Sequence, residues 1–344
     1  MKLNLFHFLF LLVFIGFKTY SQENRDEINF LFYNVENLFD VEDNPKTDDS
    51  EFTPEGDRHW TYSRLNKKLL NISKIIISAG GWEPPGIVAL CEVENRKVLE
   101  LLAEKTPLKS VSYEIIHKES PDHRGIDVAF LYDPKVFYPL KYEYFPLLTQ
   151  KGEIVKTREI LYVSGIVNQQ DTLHFFINHW PSRYSGLLET KSLRIQAAQL
   201  VREKADNILS EFSSPKIIVA GDFNDQPADE SITGFLRAEK FSEEPADEKL
   251  YNLAYSWSEN GRGTIKYQAQ WFVFDQIMVS GALLKSSKGF TTGLQNALVI
   301  NPPFLLEDDK KFGGTQPFST YNGFTYQGGS SDHFPVLLKL KPTG

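Results

Sequence analysis

The chain has 344 residues, of which 41% are hydrophobic and 24% are charged, and its formal net charge is −8. This composition is typical of a globular protein with one large core or two smaller ones, and it excludes a disordered or fibrous chain. The acidic balance argues against a broad basic surface for wrapping nucleic acid, although it leaves room for a local basic groove. A single cysteine, Cys91, excludes an intramolecular disulfide, and its apolar neighbours predict a small core residue.

The first 21 residues have the pattern of a secretory signal peptide. Lys2 supplies a positive start, an apolar run spans Leu5 to Phe17, and small residues at 19 and 21 suit signal peptidase. A membrane anchor is the alternative, but the run is short for a bilayer span. We therefore expect cleavage after Ser21 and a secreted protein, periplasmic or extracellular, without stable membrane insertion. Because no repeat or Pro-rich linker follows, we expect residues 22–344 to form a single domain and a monomer.

The first predicted strand runs from Ile28 to Tyr33 and ends in the polar residues Asn34 and Glu36. The acidic stretch 40–57 has no periodicity, which is typical of an exposed loop. After it, apolar residues spaced by three and four predict a helix that begins near residue 61 and ends at a Gly-Gly pair.

A second predicted strand, Ile87 to Leu90, leads to Glu92. A glutamate in this position is either solvated at the sheet edge or faces a cleft. Glu94 stands at the charged start of the next predicted helix, 95–104, and we interpret it as a capping or surface residue.

Residues 113–173 contain four strand-like runs separated by Pro, Gly and charged turns. The apolar run Phe175 to Ile177 then leads to Asn178 and His179, so polar side chains again follow a strand. A histidine beside buried strands is either a satisfied core residue or part of a site. Local sequence leaves both interpretations open for His179.

A helix predicted over 185–209 precedes the strand Ile217 to Ala220, whose apolar residues indicate a sheet covered on both faces. The strand stops at a glycine and places Asp222 and Asn224 in a loop. There they either form a polar turn or converge on one ligand. A short helix is predicted over 228–236.

The run from Phe272 to Val279 predicts a strand with Asp275 in its middle. Because a carboxylate inside an apolar strand is unfavourable unless it is paired, we expect a hydrogen-bond or cationic partner for Asp275. Residues 281–330 are rich in Gly, Ser, Thr and Pro, which predicts a long loop region over one face. Asp332 and His333 stand directly before the last predicted strand.

Polar residues therefore recur at predicted strand ends. Carboxylates and carboxamides without thiolates favour a hard cation such as Mg²⁺ or Mn²⁺ over a structural zinc site. Histidines beside them suit proton transfer or phosphate binding, so the pattern predicts metal-assisted hydrolysis. The residues concerned are Asn34, Glu36, Glu92, His179, Asp222, Asn224, Asp275, Asp332 and His333.

Seven segments together resemble the motif set of the endonuclease/exonuclease/phosphatase superfamily, which includes pancreatic deoxyribonuclease, abasic-site endonucleases, neutral sphingomyelinases and inositol-polyphosphate phosphatases. The segments are FYNVEN, ALCEVEN, RGIDVAFLYD, INHWPSR, VAGDFND, FDQIMVS and SSDHFPV. The similarity extends from Asn29 to Leu340. It implies an α/β (α+β) fold, a four-layer sandwich of two mixed β-sheets packed face to face, with helices outside and the site at the strand ends.

The resemblance also implies how the chain binds its metal ion. Glu92 would be the principal Mg²⁺ ligand, helped by Asn34 and Glu36, and Asp332 would be a second acidic ligand; Mn²⁺ is the alternative ion. Glu36 stands where the family commonly has an aspartate, which leaves its ligand role open.

The catalytic residues follow from the same resemblance. Asp222 would orient or deprotonate the attacking water, and Asn224 would hold the phosphate or the water. His333, fixed by Asp275, would contact the phosphoryl oxygens or act as a base. His179 would protonate the leaving oxygen.

Substrate is less constrained by the sequence. Arg183, in the segment HWPSR, either binds a substrate phosphate or is a surface residue. Our leading interpretation is a secreted Mg²⁺-dependent nuclease, an endonuclease acting on nucleic acid. A phosphatase or a lipid or small-molecule phosphodiesterase, like sphingomyelinases or inositol phosphatases, is the alternative, with PPFLL at 302–306 as the candidate membrane-contacting loop. A non-catalytic binding module of the same fold is a third.

Overall fold

The computed structural model describes residues 27–81, 83–184 and 186–343. The predicted signal peptide, 1–21, lies outside these residues. Within them, no helix is both long enough and apolar enough to cross a bilayer.

The described residues form many strands and a few helices, here labelled in chain order. The strands are Ile28–Leu38 (β1), Ile87–Val93 (β2), Glu114–His117 (β3), Asp127–Tyr132 (β4), Phe137–Phe145 (β5), Ile160–Val167 (β6), Asp171–His179 (β7), Lys216–Asp222 (β8), Ala238–Lys240 (β9), Leu250–Asn252 (β10), Ile265–Tyr267 (β11), Gln270–Phe272 (β12), Asp275–Ser280 (β13), Phe290–Thr291 (β14), Ala297–Val299 (β15), Leu306–Asp308 (β16), Thr315–Pro317 (β17), Tyr321–Asn322 (β18), Thr325–Tyr326 (β19) and Val336–Pro342 (β20). The α-helices are Tyr62–Ala79 (α1), Arg96–Glu104 (α2), Leu187–Glu211 (α3), Tyr255–Glu259 (α4) and Gly281–Leu284 (α5).

Most strands belong to two mixed sheets. The first has the order β14-β20-β1-β2-β4-β3, with β15 also paired to β20, and the second has the order β5-β6-β7-β8-β13-β10-β9. In the first sheet β1 and β2 are parallel, and in the second β7 and β8 are parallel, whereas β13 runs antiparallel to β8. Since the carboxyl ends of parallel neighbours meet at one edge, each sheet gathers its strand-end residues on one side.

The two sheets pack face to face through large apolar side chains. The ring of Phe175 on β7 lies 5.3 Å from that of Phe30 on β1 and 5.4 Å from that of Phe130 on β4, centroid to centroid. Helices α1 and α2 bury their apolar faces on the outside of the first sheet, and α3 does so on the second. The predicted four-layer sandwich is therefore confirmed.

Helix α1 has the predicted limits because its ends are specified locally. The Thr61 side chain accepts a hydrogen bond from the backbone N–H of Arg64 and so caps the first turn. At the other end, a Cβ on Gly80 would lie 1.9 Å from the carbonyl oxygen of Glu83, so the chain can turn there only with glycine.

Glu94 is not the capping or surface residue that we expected. It is 6% exposed, and its carboxylate accepts a hydrogen bond from the backbone N–H of Asp40 at 2.5 Å. Burial raises its pKa to about 8. The cap of α2 is Asn95, whose Oδ1 accepts from Val98 N at 3.1 Å.

Three other local predictions were wrong in detail. Asp275 begins β13 instead of standing mid-strand, and the N–H groups of Phe274 and Asp275 both donate to Thr264 Oγ1 instead of to a neighbouring strand. The helix predicted over 228–236 is one wide helical turn, Ser231–Phe235. The long loop region predicted over 281–330 contains short strands and two small hairpins.

His174 lies on β7 beneath α3 and away from the strand-end residues. It is 4% exposed, its Nδ1 lies 2.8 Å from the hydroxyl of Tyr162, and its ring packs against Phe212 at 5.4 Å. Burial lowers the pKa of His174 from 6.5 to about 4. The folded protein therefore holds this imidazole neutral.

This burial predicts an acid-sensitive contribution to stability. Between pH 6.5 and 4 the unfolded chain binds a proton at His174 that the folded chain excludes, so stability present above pH 6.5 is lost as pH falls. The loss should reach about 3 kcal/mol. Urea denaturation at pH 7 and pH 4.5 measures it, with His174→Gln as the variant without the titrating group. If wild type and variant lose the same free energy of unfolding between these pH values, His174 does not contribute.

Candidate active site

The strand ends bring the predicted residues of the second sheet side by side. In the parallel pair β7 and β8, His179 is in register with Asp222, and in the antiparallel pair β8 and β13, Asp222 is in register with Asp275. Three titratable side chains therefore lie on adjacent strands at one edge.

Asn34 joins the two sheets at this edge. Its side-chain Nδ2 donates to Asp222 Oδ2 at 3.0 Å and faces Glu92 Oε1 at 3.3 Å. Its Oδ1 accepts from the backbone N–H of Glu36 at 2.9 Å, which fixes the orientation of the amide. The carboxamide thus holds a carboxylate of each sheet at a fixed separation.

Glu92 is presented to the cleft by an irregular backbone. Its φ is +62°, in the left-handed region, and the ladder between β2 and β4 shifts register at this residue. Its Oε2 accepts from the backbone N–H of Asn37 at 2.9 Å, and its side chain is 14% exposed. Of the two interpretations of Glu92, the structure supports the one in which it faces a cleft.

His333 and Asp275 form a buried pair, which confirms the expectation of a partner for Asp275. His333 Nδ1 lies 2.7 Å from Asp275 Oδ2, and its Nε2 points to Asp222 Oδ2 at 3.9 Å. Burial alone would lower the pKa of His333, but the charges of Asp275, Asp332 and Asp222 outweigh it and raise the pKa well above its usual value. His333 is therefore an imidazolium at neutral pH.

His179 has the opposite protonation state. Its Nε2 lies 3.7 Å from Asp222 Oδ2 and 3.8 Å from Glu92 Oε1. Burial, followed by the positive charges of Arg158, Arg124 and His333, lowers its pKa well below 6.5. Its Nδ1 is buried and finds no hydrogen-bond partner among the described residues. The site therefore holds a neutral imidazole on one side of Asp222 and a charged one on the other.

Asp222 lies between these histidines and is itself perturbed. Burial raises its pKa to about 6; His333 opposes this shift, and the carboxylates of Asp275 and Glu92 add to it. Its Oδ1 accepts from Asn224 N at 2.9 Å, and Asn224 Nδ2 in turn donates to the carbonyl of Trp180 at 3.0 Å. Asp222 is thus ionised at neutral pH but remains a stronger base than an exposed aspartate.

Asp332 lies at the rim, with a side chain that is 50% exposed and an Oδ1 that is 3.9 Å from His333 Nε2. The segment before it is fixed to β1 by Ser331, whose hydroxyl donates to the carbonyl of Asn34 at 2.7 Å and accepts from His333 N at 3.0 Å. Ser331 therefore positions both Asp332 and His333.

Glu36 has contacts that the sequence did not predict. Its carboxylate accepts from the backbone N–H groups of Thr320, at 2.7 Å, and Tyr321, at 3.4 Å. The buried Lys68 of α1 donates to the carbonyl of Glu36 and to the hydroxyl of Thr320. Glu36 thus anchors the hairpin of β18 and β19, and its role as a metal ligand stays a prediction.

Arg183 is engaged by acidic neighbours. Its guanidinium lies 2.6 Å from Asp225 and 2.5 Å from Asp229, donates to the carbonyl of Asn224 at 2.5 Å and covers the ring of Phe274 at 4.9 Å. These contacts support the loop that carries Asn224. The substrate-binding role of Arg183 stays a prediction.

Two groups of residues could hold a cation. Ligand atoms of Asp222, Asp275 and His333 lie within 4.8 Å of one another. The carboxylates of Glu92 and Asp332, 14% and 50% exposed, are the more accessible candidates, whereas Asn34 turns its Nδ2 to Glu92 and its Oδ1 to the backbone N–H of Glu36. Cys91 is buried in the core, as predicted, so both groups lack a thiolate and suit an oxygen-preferring ion.

Sequence reasoning missed Lys68, Ser331 and Arg158. Lys68 lies among the apolar positions of α1 and is 1% exposed, so a lysine on the apolar face of a predicted helix was the available signal. Arg158 donates to Asp122 at 2.9 Å and to the carbonyl of Trp180 at 2.6 Å, which fixes the backbone next to His179. Nothing in its local sequence distinguishes it from a surface arginine.

Comparison with known proteins agrees with this geometry. A model of the Endonuclease/Exonuclease/phosphatase family matches residues 29–342. The chain belongs to this family. Its members are metal-dependent hydrolases of phosphoester bonds, which confirms the resemblance found in the sequence. The sequence matches no curated protein at a significant level.

Solved structures of other proteins share the fold. The human Nocturnin catalytic domain with bound sulfate is 15% identical with a TM-score of 0.55, and the match covers 93% of this chain and 96% of that one. D. rerio TDP2 in complex with single-strand DNA product is 14% identical with a TM-score of 0.54, covering 91% and 98%. An endonuclease/exonuclease/phosphatase family protein from Bacteroides thetaiotaomicron is 16% identical with a TM-score of 0.53, covering 91% and 97%.

The contacts of Glu36 and Glu92 predict different effects of removing each carboxylate. Glu92→Ala should weaken Mg²⁺ binding by roughly tenfold or more, because it removes an accessible oxygen ligand. If the Glu36 carboxylate acts only as the anchor of the hairpin, Glu36→Ala should change Mg²⁺ affinity little but should speed hydrogen exchange at the Thr320 amide, which loses its acceptor. Calorimetric titration with Mg²⁺ and exchange measured by mass spectrometry test both variants.

The opposite pattern would assign Glu36 to the metal. If Glu36→Ala weakens Mg²⁺ binding as much as Glu92→Ala does, while exchange at Thr320 is unchanged, the carboxylate is a ligand and not an anchor.

Proposed function

We propose that this chain is a secreted, Mg²⁺-dependent phosphodiesterase that hydrolyses nucleic acid as an endonuclease. The observation that carries the proposal is the environment of Asp222 Oδ2, which receives the Asn34 amide at 3.0 Å and faces a neutral and a charged histidine at 3.7 and 3.9 Å. Hydrolysis of a diester needs an activated water, neutralisation of charge on phosphorus and a proton for the leaving oxygen. These side chains can meet the three needs together with a cation.

The chemistry of the donor set fits a divalent cation. Glu92 and Asp332 offer carboxylate oxygens at the open side of the cleft, and Asn34 would join them as a ligand only by turning its Oδ1 away from Glu36 N. The group of Asp222, Asp275 and His333 is less suitable, because Asp275 Oδ2 is already bonded to His333. When bound, Mg²⁺, or Mn²⁺ in its place, would neutralise charge on the phosphoryl oxygens. Excess negative charge on buried carboxylates favours such an ion.

The protonation states of the side chains in the site suggest a different chemical role for each of them. Asp222, with a pKa raised to about 6 by burial, is ionised at neutral pH and can orient a water and accept its proton. His333 is already protonated, which favours contact with a phosphoryl oxygen over a role as base. Asn224, on the loop after Asp222, would hold the water or the phosphate.

His179 acts as proton donor only once it is charged. Burial keeps it neutral in the free site. An anionic phosphate placed beside it would raise its pKa and stabilise the imidazolium, so the proton would be available when substrate is bound. His179 lies 3.8 Å from Glu92, close enough to serve a leaving oxygen on a phosphate at that side.

Two considerations favour nucleic acid as substrate. D. rerio TDP2, which shares the fold, was solved with a single-strand DNA product, and we extend that substrate class to this chain as part of the proposal. The candidate membrane-contacting loop of the alternative, 302–306, offers little apolar surface, since Leu305 is 3% exposed, Leu306 is half-buried and Phe304 is 38% exposed. A phosphatase or lipid phosphodiesterase therefore has less support.

Nicking of supercoiled plasmid DNA by the mature chain tests the nuclease. We expect nicking with Mg²⁺, none with chelator, and a loss of roughly 10²–10⁴-fold in rate for His333→Ala and for His179→Ala. His59→Gln, at an exposed histidine, is the matched control and should be fully active. Circular dichroism confirms that each variant is folded.

Two outcomes would refute parts of the proposal. Retained activity in folded His333→Ala would remove this residue from the mechanism. The protein could also be folded and metal-loaded and leave plasmid intact, yet hydrolyse a phosphomonoester or a lipid headgroup. That result would show that the proposed substrate class, nucleic acid, is wrong.

Secretion is tested by the amino terminus of the expressed protein. When the full chain is expressed in a bacterial host, the exported protein should begin at Gln22, because signal peptidase would cut after Ser21. Amino-terminal sequencing of the exported fraction checks this. An uncut chain that starts at Met1 and remains with the membranes would indicate an anchor instead.

A further inference from the structure

Helix α1 carries an unusual concentration of positive charge. It contains Arg64, Lys67, Lys68 and Lys74 and no acidic residue, in a chain whose net charge is −8. Lys68 is buried against Glu36 and Thr320, and Arg64 donates to the carbonyls of Arg58 and His59. The remaining two, Lys67 and Lys74, are exposed, and within the described residues neither forms an ion pair.

A groove lies beside these two lysines. It encloses about 540 Å³ between α1 and the segment that leads to the catalytic His333. It is lined by Lys67, Lys74, Phe304 and Tyr326 and by residues 328–330. We call it the α1 groove.

The aromatic rings of the α1 groove are held in place by cations. Lys74 Nζ lies 4.0 Å from the ring centroid of Phe304, and the guanidinium of Arg64 lies 4.3 Å from that of Tyr326. Phe304 is 38% exposed, and Tyr326 is half-buried. The groove thus combines two partly exposed rings with two ammonium groups that have no carboxylate partner among the described residues.

The α1 groove leads away from the active site. Lys68 contacts Glu36 near the end of β1, and Asn29 at its start donates to the carbonyl of Gly80, so α1 runs antiparallel to β1. Lys67 is therefore at the site end of the helix, and Lys74 lies about 10 Å further along it. The residues that line the groove include Ser330, which is three residues before His333 in the chain.

We propose that the α1 groove binds a single-stranded segment of nucleic acid that flanks the phosphodiester under attack, an inference that rests on the proposed nuclease function. Ammonium groups without a carboxylate partner attract backbone phosphates, and partly exposed rings can stack on bases of any sequence. An apolar ligand alone would not require the lysines, and a phosphate alone would not require the rings.

Binding of a fluorescent single-stranded oligonucleotide tests the α1 groove. Lys67→Ala/Lys74→Ala should lower the slope of log affinity against log salt by about 1.4, since two phosphate contacts are lost. Phe304→Ala should weaken binding about fivefold or more without changing that slope. Lys105→Ala/Lys109→Ala removes the same charge at exposed lysines elsewhere, and it should match wild type.

A small substrate separates failure of this proposal from failure of the nuclease function. All variants should hydrolyse bis(4-nitrophenyl) phosphate at the wild-type rate with Mg²⁺, because the active site is intact. If wild type cleaves oligonucleotide and the variants bind it with wild-type affinity and salt slope, the groove proposal is wrong. If wild type cleaves neither substrate, the nuclease function is wrong.

Anionic vesicles of phosphatidylserine and phosphatidylcholine provide the last comparison. We expect the same fraction of protein to sediment with these vesicles for wild type and for the Lys67→Ala/Lys74→Ala variant. Vesicle binding that is lost in this variant while oligonucleotide binding is unchanged would overturn the proposal and assign the groove to a membrane surface.

Discussion

Repulsion among carboxylates at the shared edge of the two sheets is the constraint on which the site depends. Asp222 and Asp275 are in register on adjacent strands, and Glu92 joins them through the amide of Asn34. Ionised carboxylates this close disfavour one another, and burial strengthens the effect. The protein offsets it with an amide donor, with the His333 imidazolium and with an open side where a cation can bind. The amide donor, the imidazolium and the cation site are also groups that phosphoester hydrolysis requires.

The backbone bears part of the cost of this arrangement. Glu36, Glu92 and Asn224 all have φ near +50° to +60°, which L-residues rarely adopt and which costs of the order of 1 kcal/mol each. Hydrogen bonds to neighbouring backbone groups stabilise these conformations, as when Asn37 N donates to Glu92. The rigid strands before them are what allow such residues to persist at a functional edge.

The sequence predicted the architecture and most of the site because both depend on local patterns. Apolar runs that end in polar residues mark the carboxyl ends of buried strands, and Asn34, Glu92, Asp222 and His333 do meet at one edge. Predictions from the sequence were wrong where contacts between residues far apart in the chain determine the local structure. At the start of the strand, the N–H groups of Phe274 and Asp275 donate to the Thr264 hydroxyl, and the sequence around Asp275 gives no sign of this contact.

Protonation states were equally inaccessible from sequence. His179 and His333 both follow or precede buried strands, and nothing in their local sequence separates them. In the fold, Asp275 faces one ring, while Arg158 and Arg124 act on the other. Different protonation states of two otherwise similar histidines therefore arise from partners that are far away in the chain.

The buried clamp of Glu36, Lys68 and Thr320 connects the α1 groove to the active site. Lys68 belongs to α1, Glu36 follows Asn34 on β1, and Thr320 begins the hairpin whose Tyr326 lines the groove. Because Lys68 donates to the Glu36 carbonyl and the Thr320 hydroxyl while the Glu36 carboxylate accepts from Thr320 N, these buried contacts hold the three elements at a fixed separation. A strand bound along α1 would consequently reach the catalytic edge in one register. In the proposed complex, the clamp would make Glu36 a residue that positions substrate from a distance.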